Sequence, residues 1–149
     1  MVNHKFYNSI FFCITLFVLF IIFRNSMFPI SQSYLQSGIV LSALNHFFSN
    51  RIVLSQLVVR KLAHFTEYFF FGLLLTITLR TFHKMLQGVF FLELFLSLAV
   101  PMVDETIQIF YQGRTSNVID VWIDFSGCIA GMGLCYLIHA LFRLFVNHH

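Results

Sequence analysis

Between Asp104 and Gly127 the sequence reads DETIQIFYQGRTSNVIDVWIDFSG. This stretch holds four of the chain's six carboxylates, Asp104, Glu105, Asp120 and Asp124, with Gln108 among them and Arg114 beside Gly113. A second polar stretch, RKLAHFTEY, adds Arg60, Lys61, His64 and Glu67. A carboxyl group with a raised pKa can serve as a general acid or base, so Glu67, Asp104 and Asp124 are candidate catalytic groups. Arg60 and Arg114 can grip a phosphate or carboxylate through paired N–H donors. His64 with Glu67, Asp104 and Asp124 could offer donors to a divalent ion. The H-x-x-E spacing matches no strong metal signature, however, so no metal and no cofactor is predicted. No Ser-His-Asp order or nucleophile motif is present. A purely structural reading stands beside these, in which the charges pair with one another and lock helices together.

The sequence around these groups is suited to lipid. Of 149 residues, 58% are hydrophobic, 21 are Phe, and only 10% are charged. A soluble domain carries about 25% charged residues, so the expectation is an all-α membrane protein built as a single domain over 1–149. The net charge of +3 comes from scattered basic residues with no polybasic run, which excludes nucleic acid as an expected partner. Cys13, Cys128 and Cys135 all lie in apolar runs. An odd number of such cysteines reads as small apolar filler, not as a disulfide framework.

Four apolar runs read as membrane-spanning helices, at about 6–23, 62–79, 86–103 and 120–142. The first is longer than a signal-peptide core, ends at Arg24-Asn25 and has no small-residue cleavage pattern, so it reads as an uncleaved span. Between the first two runs, Pro29 and the polar SQSYLQSG segment are read as breaking any helix. From Leu35 the pattern turns amphipathic, with Leu35, Ile39, Leu44 and Phe47-Phe48 set against Gln36, Ser42, Asn45 and Arg51. This predicts a helix lying along the membrane interface, or a re-entrant segment. Gly127 and Gly131 form a G-x-x-x-G pair that lets a neighbouring helix approach closely.

A four-span bundle brings the start of the second span, the end of the third and the start of the fourth to one membrane face. At 100° per residue, Arg60, His64 and Glu67 share one helical arc. Asp104, Gln108 and Tyr111 share another, provided the third helix runs past the membrane edge. Asp120, Asp124, Gly127 and Gly131 share a third. Ionised groups facing hydrocarbon are costly, so these stripes are predicted to converge on one pocket. The pocket comprises Arg60, Lys61, His64, Glu67, Asp104, Glu105, Gln108, Arg114, Asp120 and Asp124, with Tyr68 and Tyr111 as interface hydroxyls. Its three cations face five carboxylates, a surplus that invites a proton, a metal ion or a cationic group. Glu93 sits apart in mid-span and needs a partner, for which Thr76, Thr78 and His139 are candidates.

These residues also carry a resemblance. Arg60-Lys61-x-Ala63-His64-Phe65-x-Glu67-Tyr68, then Asp104-Glu105-x-x-Gln108-x-Phe110, Gly113-Arg114, and Asp120-Val121 with Asp124 and Gly127 resemble the VanZ-like family. The similarity extends over the whole chain, including Ser31-Gln32-Ser33 and Ser37-Gly38. Gln112 replaces the proline usual before Gly-Arg, and Glu93 lies outside the pattern. The family comprises small bacterial membrane proteins named after a teicoplanin-resistance protein. The resemblance implies a multi-pass protein of the bacterial cell membrane that modulates the envelope or susceptibility to lipoglycopeptides such as teicoplanin. Its expected partners are membrane lipids and a lipid-linked or lipoglycopeptide ligand. It assigns no reaction; an enzyme acting on a lipid-linked substrate and a small proton-coupled transporter or flippase are the alternatives. Discounting Arg60, Lys61 and Arg114, which have acidic partners nearby, the Lys/Arg count favours cytoplasmic termini and a pocket at the outer face.

Overall fold

A computed structural model describes residues 4–47, 55–82, 88–114 and 116–147. Five helices form among them, with no strand: α1 (His4–Ser26), α2 (Ile30–Phe47), α3 (Gln56–Phe82), α4 (Val89–Gln108) and α5 (Val118–Asn147). Helices α1, α3 and α5 are long and apolar enough to cross a membrane. At about 1.5 Å per residue, the twenty residues of α4 also reach about 30 Å. They carry Glu93, Asp104 and Glu105, however, and α4 falls outside that apolar set. The outer surface is strongly apolar, with Phe17, Phe20, Phe91, Phe95, Phe142 and Phe145 all exposed. Apolar surface on this scale belongs in lipid, and the chain is a membrane protein.

α3 is the central helix, packing against each of the other four. Its most extensive partner is α5, and the glycine pair is the reason. A Cβ at Gly127 would lie 2.5 Å from the Phe65 carbonyl oxygen, and one at Gly131 would come closer still to that of Phe69. Only glycine admits such a backbone approach. The two helices run parallel, since Lys61 near the start of α3 meets Asp120 at the start of α5. At the other end of α3, the Asn8 amide donates to the Thr81 carbonyl (3.1 Å), so α1 runs antiparallel to α3. Deeper in the same seam the Thr15 and Thr78 hydroxyls meet at 2.8 Å. Ile22, Tyr68, Phe71, Leu75 and Cys128 form the buried apolar core.

Several sequence expectations are corrected. The break at Pro29 is present, between α1 and α2, but it is confined to residues 27–29, and Pro29 leads directly into the next helix. Its carbonyl accepts the Gln32 and Ser33 amides, and proline costs nothing where the first turn leaves amides unpaired anyway. The SQSYLQSG run is therefore the first half of α2. Helix α3 begins at Gln56, and α5 runs from Val118 to Asn147, both longer than the apolar runs alone. Helix α4 ends at Gln108, so Tyr111 lies in the following turn, off the predicted stripe. Tyr68 is fully buried in the core, not at an interface. Glu93 is fully buried and accepts a 2.6 Å bond from the Tyr136 hydroxyl, with Arg80 Nε at 3.8 Å. Those partners, rather than Thr76, Thr78 or His139, answer its need. Phe48, Arg51, Lys84 and Leu86 lie outside the described residues.

Candidate functional site

Helix packing brings the ten residues picked out by type and spacing to one end of the bundle. Arg60, Lys61, His64 and Glu67 come from α3; Asp104, Glu105 and Gln108 from α4; and Asp120 and Asp124 from α5. Arg114 enters from the turn before α5, where Gly113 has a φ of 77° that suits a residue without a side chain. Burial on α4 follows a helical stripe, Ser97, Pro101, Asp104 and Gln108, so the polar end of this helix faces inward. Burial on α5 runs through Asp124, Gly127, Cys128 and Gly131, so Asp124 is carried in by the same face that grips α3.

Within the cluster, charges meet neutral groups more often than opposite charges. Arg114 donates from Nη1 to Gln108 Oε1 (2.8 Å), from Nε to the Phe28 carbonyl (3.1 Å) and from Nη2 to the Asn25 carbonyl (3.2 Å). Gln108 in turn donates to Asp104 Oδ2 at 3.2 Å. A neutral amide thus stands between this guanidinium and the Asp104 carboxylate. Burial, reinforced by the charge of Arg60, holds Arg114 below its ordinary value. Glu67 accepts from the Asn25 amide (2.9 Å), and Glu105 from the backbone N–H of Asn117 (3.1 Å). Burial pushes Glu105 above its ordinary value.

The close ion pair among these described residues is Lys61–Asp120, at 2.8 Å and about one-third exposed. His64 Nδ1 and Asp124 Oδ1 stand 3.9 Å apart, beyond hydrogen-bond reach. Asp124 is 1% exposed, and neither of its carboxylate oxygens has a hydrogen-bond partner in the described structure. The same holds for Asp104 Oδ1, His64 Nδ1 and Arg60 Nε.

Two cavities adjoin these groups. One of about 220 Å³ lies under α2 and is lined by Ser33, Gln36 and Ser37 of that helix, with Arg60, His64, Glu67, Asn25 and Arg114 opposite. A smaller one of about 60 Å³ is lined by Arg60, Lys61, His64, Glu105, Asp120 and Asp124. Arg60 and His64 line both. The polar side of α2 thus forms a wall of the site, while Leu35 and Ile39 face outward. Arg60 lies over the Tyr34 ring at 5.3 Å, and Gln56 donates to the Tyr34 carbonyl at 2.6 Å, which holds α2 against α3.

Residue-type reasoning missed this wall and missed Asn25. The signal was present in Ser33 and Ser37, one turn apart with Gln36 between, and in Asn25 directly after the first apolar run. Reading the segment as broken chain hid the helical spacing.

A family model described as VanZ/LLP1 matches residues 11–139, covering all five helices in whole or large part. No curated protein and no solved structure matches the chain.

Proposed function

The chain belongs to the VanZ/LLP1 family, and we propose that it binds the phosphate-bearing headgroup of a lipid or lipid-anchored ligand in the cavity beneath α2. In this reading α1, α3, α4 and α5 cross the bacterial cell membrane, α2 lies along the interface, the termini are cytoplasmic and the pocket opens at the outer face. Binding there modulates envelope properties or susceptibility to lipoglycopeptides such as teicoplanin.

The observation that carries this reading is the state of the two arginines. Arg60 and Arg114 line one cavity, and neither donates a hydrogen bond to a carboxylate in the described structure. Arg114 is held by three neutral acceptors and adds charge to the wall, whereas Arg60 keeps an unpartnered Nε. A guanidinium without a carboxylate suits a phosphate, which accepts parallel N–H bonds. The apolar outer face of α2 would keep such a ligand's chains in lipid while its head enters the polar side.

The test is native mass spectrometry of the protein purified in mild detergent. Phosphate-bearing lipid should be retained by the wild type and largely released from Arg60→Gln. Equal retention by both would sink the reading. In cells, lipidomics and teicoplanin susceptibility of a deletion strain, rescued with wild type or Arg114→Ala, test the envelope role.

A second reading, an enzyme acting on a lipid-linked substrate, is favoured by one observation. Among Glu67, Asp104 and Asp124, Asp124 alone has both carboxylate oxygens without a hydrogen-bond partner, and His64 stands beside it. A general acid or base needs that freedom. The transporter reading has less support, because Glu93 is fully buried against Tyr136 and Arg80 instead of lining a polar route.

A further inference from the structure

We propose that His64, Asp104 and Asp124 form a binding site for one divalent cation of the Mn²⁺ or Zn²⁺ type, at the inner end of the pocket. Each residue offers a donor atom, and the three atoms lie within 4.8 Å of one another. They come from three different helices, α3, α4 and α5. Donors bound at about 2.0–2.2 Å to a common ion stand roughly 3–4 Å apart. The 3.9 Å between His64 Nδ1 and Asp124 Oδ1 already falls in that range.

A second observation is independent of this clustering. Asp104 and Asp124 are 0% and 1% exposed, and three of their four carboxylate oxygens have no hydrogen-bond partner in the described structure. His64 Nδ1 is buried and unpartnered as well. The Ser26 and Tyr68 hydroxyls stand near Asp104, so the unanswered carboxylate is that of Asp124, and burying one without partners is costly. Lys61 is committed to Asp120 and Arg114 to Gln108 and two backbone carbonyls, while Arg60 lines the same cavity without bonding to Asp124. Counted formally, three cations against five carboxylates give 3 − 5 = −2, which protons or one divalent ion would balance.

The donor set narrows the ion. An imidazole with two carboxylates suits borderline metals such as Zn²⁺ and Mn²⁺ better than Ca²⁺, which prefers oxygen alone. Three protein ligands leave coordination positions open. His64 and Asp124 also line the 60 Å³ cavity beside Arg60 and Lys61, so an open position there could accept water or a phosphate oxygen. The site shares the pocket of the headgroup reading and rests on it only for what that open position would face.

The test uses the full chain in detergent, stripped with EDTA, dialysed, and titrated with MnCl₂ alone or ZnCl₂ alone. Electron paramagnetic resonance follows Mn²⁺, and calorimetry follows both ions. The expected result is one ion per chain. Asp124→Asn and His64→Gln should each weaken it by at least about 100-fold, beyond the roughly 10–100-fold that changes outside the ligand set produce. Circular dichroism identifies any variant that fails to fold, and the other variant then decides. Absence of stoichiometric binding, or binding equally tight in both variants, overturns the proposal. Lipid retention by the EDTA-stripped protein is measured in parallel. Retention without metal binding removes the metal site and leaves the headgroup reading standing; metal binding without retention does the reverse.

Discussion

His64 Nδ1 and Asp124 Oδ1 face each other across the α3–α5 seam at 3.9 Å, beyond hydrogen-bond reach. The separation matters because of what surrounds it. The seam is set by glycines that let the two backbones touch, so neither helix can shift to close the gap cheaply. The backbone positions of the pair are thus fixed by rigid elements, in the way that binding and catalytic groups are held, and only their side chains can adjust.

Replacing Asp124 with Asn should therefore separate stability from function. The substitution keeps the shape and removes a buried ionisable group that has no hydrogen-bond partner. Breaking a well-paired buried charge costs about 3–5 kcal/mol, but Asp124 has no such pairing to lose. The metal-free variant should unfold at no lower temperature than wild type, followed by intrinsic fluorescence in detergent, while the cellular phenotype is lost. A large drop in unfolding temperature would instead support the structural-network reading.

The α3–α5 seam gives a prediction of opposite sign. At Gly131 an added Cβ would collide with the Phe69 carbonyl, and backbone cannot move aside as a flexible side chain does. Gly131→Val should cost at least the 1–3 kcal/mol typical of overpacking. It should also disturb the site, because Asp124 shares this helix face. Thermal melts and the yield of folded protein report the first effect, and lipid retention the second.

Lys61 and Asp120 form a close ion pair, yet the pair should matter little for stability. Both side chains are about one-third exposed, where water screens the attraction. A double-mutant cycle with Lys61→Met and Asp120→Asn should return a coupling of about 0.2–1 kcal/mol, shrinking with added salt. A coupling several times larger would mean that the pair sits in a drier setting than its exposure indicates.

Sequence reading reached the helical class and the ten-residue cluster because both rest on strong penalties. Apolar runs of span length have few alternatives to lipid, and ionised groups beside them must find one another. Helix ends and short polar segments carry weaker penalties, and the errors fell there. Pro29 is compatible with a helix start as well as a stop, so spacing alone places the helix from Leu35 and does not show that α2 already begins at Ile30. The partners of Glu93 lie 13 residues before it on α3 and 43 after it on α5, distances over which spacing carries no information. The close grouping of His64, Asp104 and Asp124 was likewise beyond sequence, because three helices supply one donor each.

Arg114 supplies the sharpest contrast between charge and geometry. Its guanidinium reaches three acceptors at once, two backbone carbonyls near the end of α1 and the Gln108 side chain on α4. It thereby ties the turn before α5 to both helices. Lysine keeps the charge but is a point donor on a flexible stem and cannot span that fork. Arg114→Lys should lose at least one of these bonds and leave a buried acceptor unpaired, at about 1–3 kcal/mol. If the arginine served only as a positive charge beside carboxylates, lysine would replace it at no measurable cost. Melting temperature and lipid retention, measured on the same preparation of Arg114→Lys, decide between the two: a fork predicts that both fall, and a bare charge predicts that neither does.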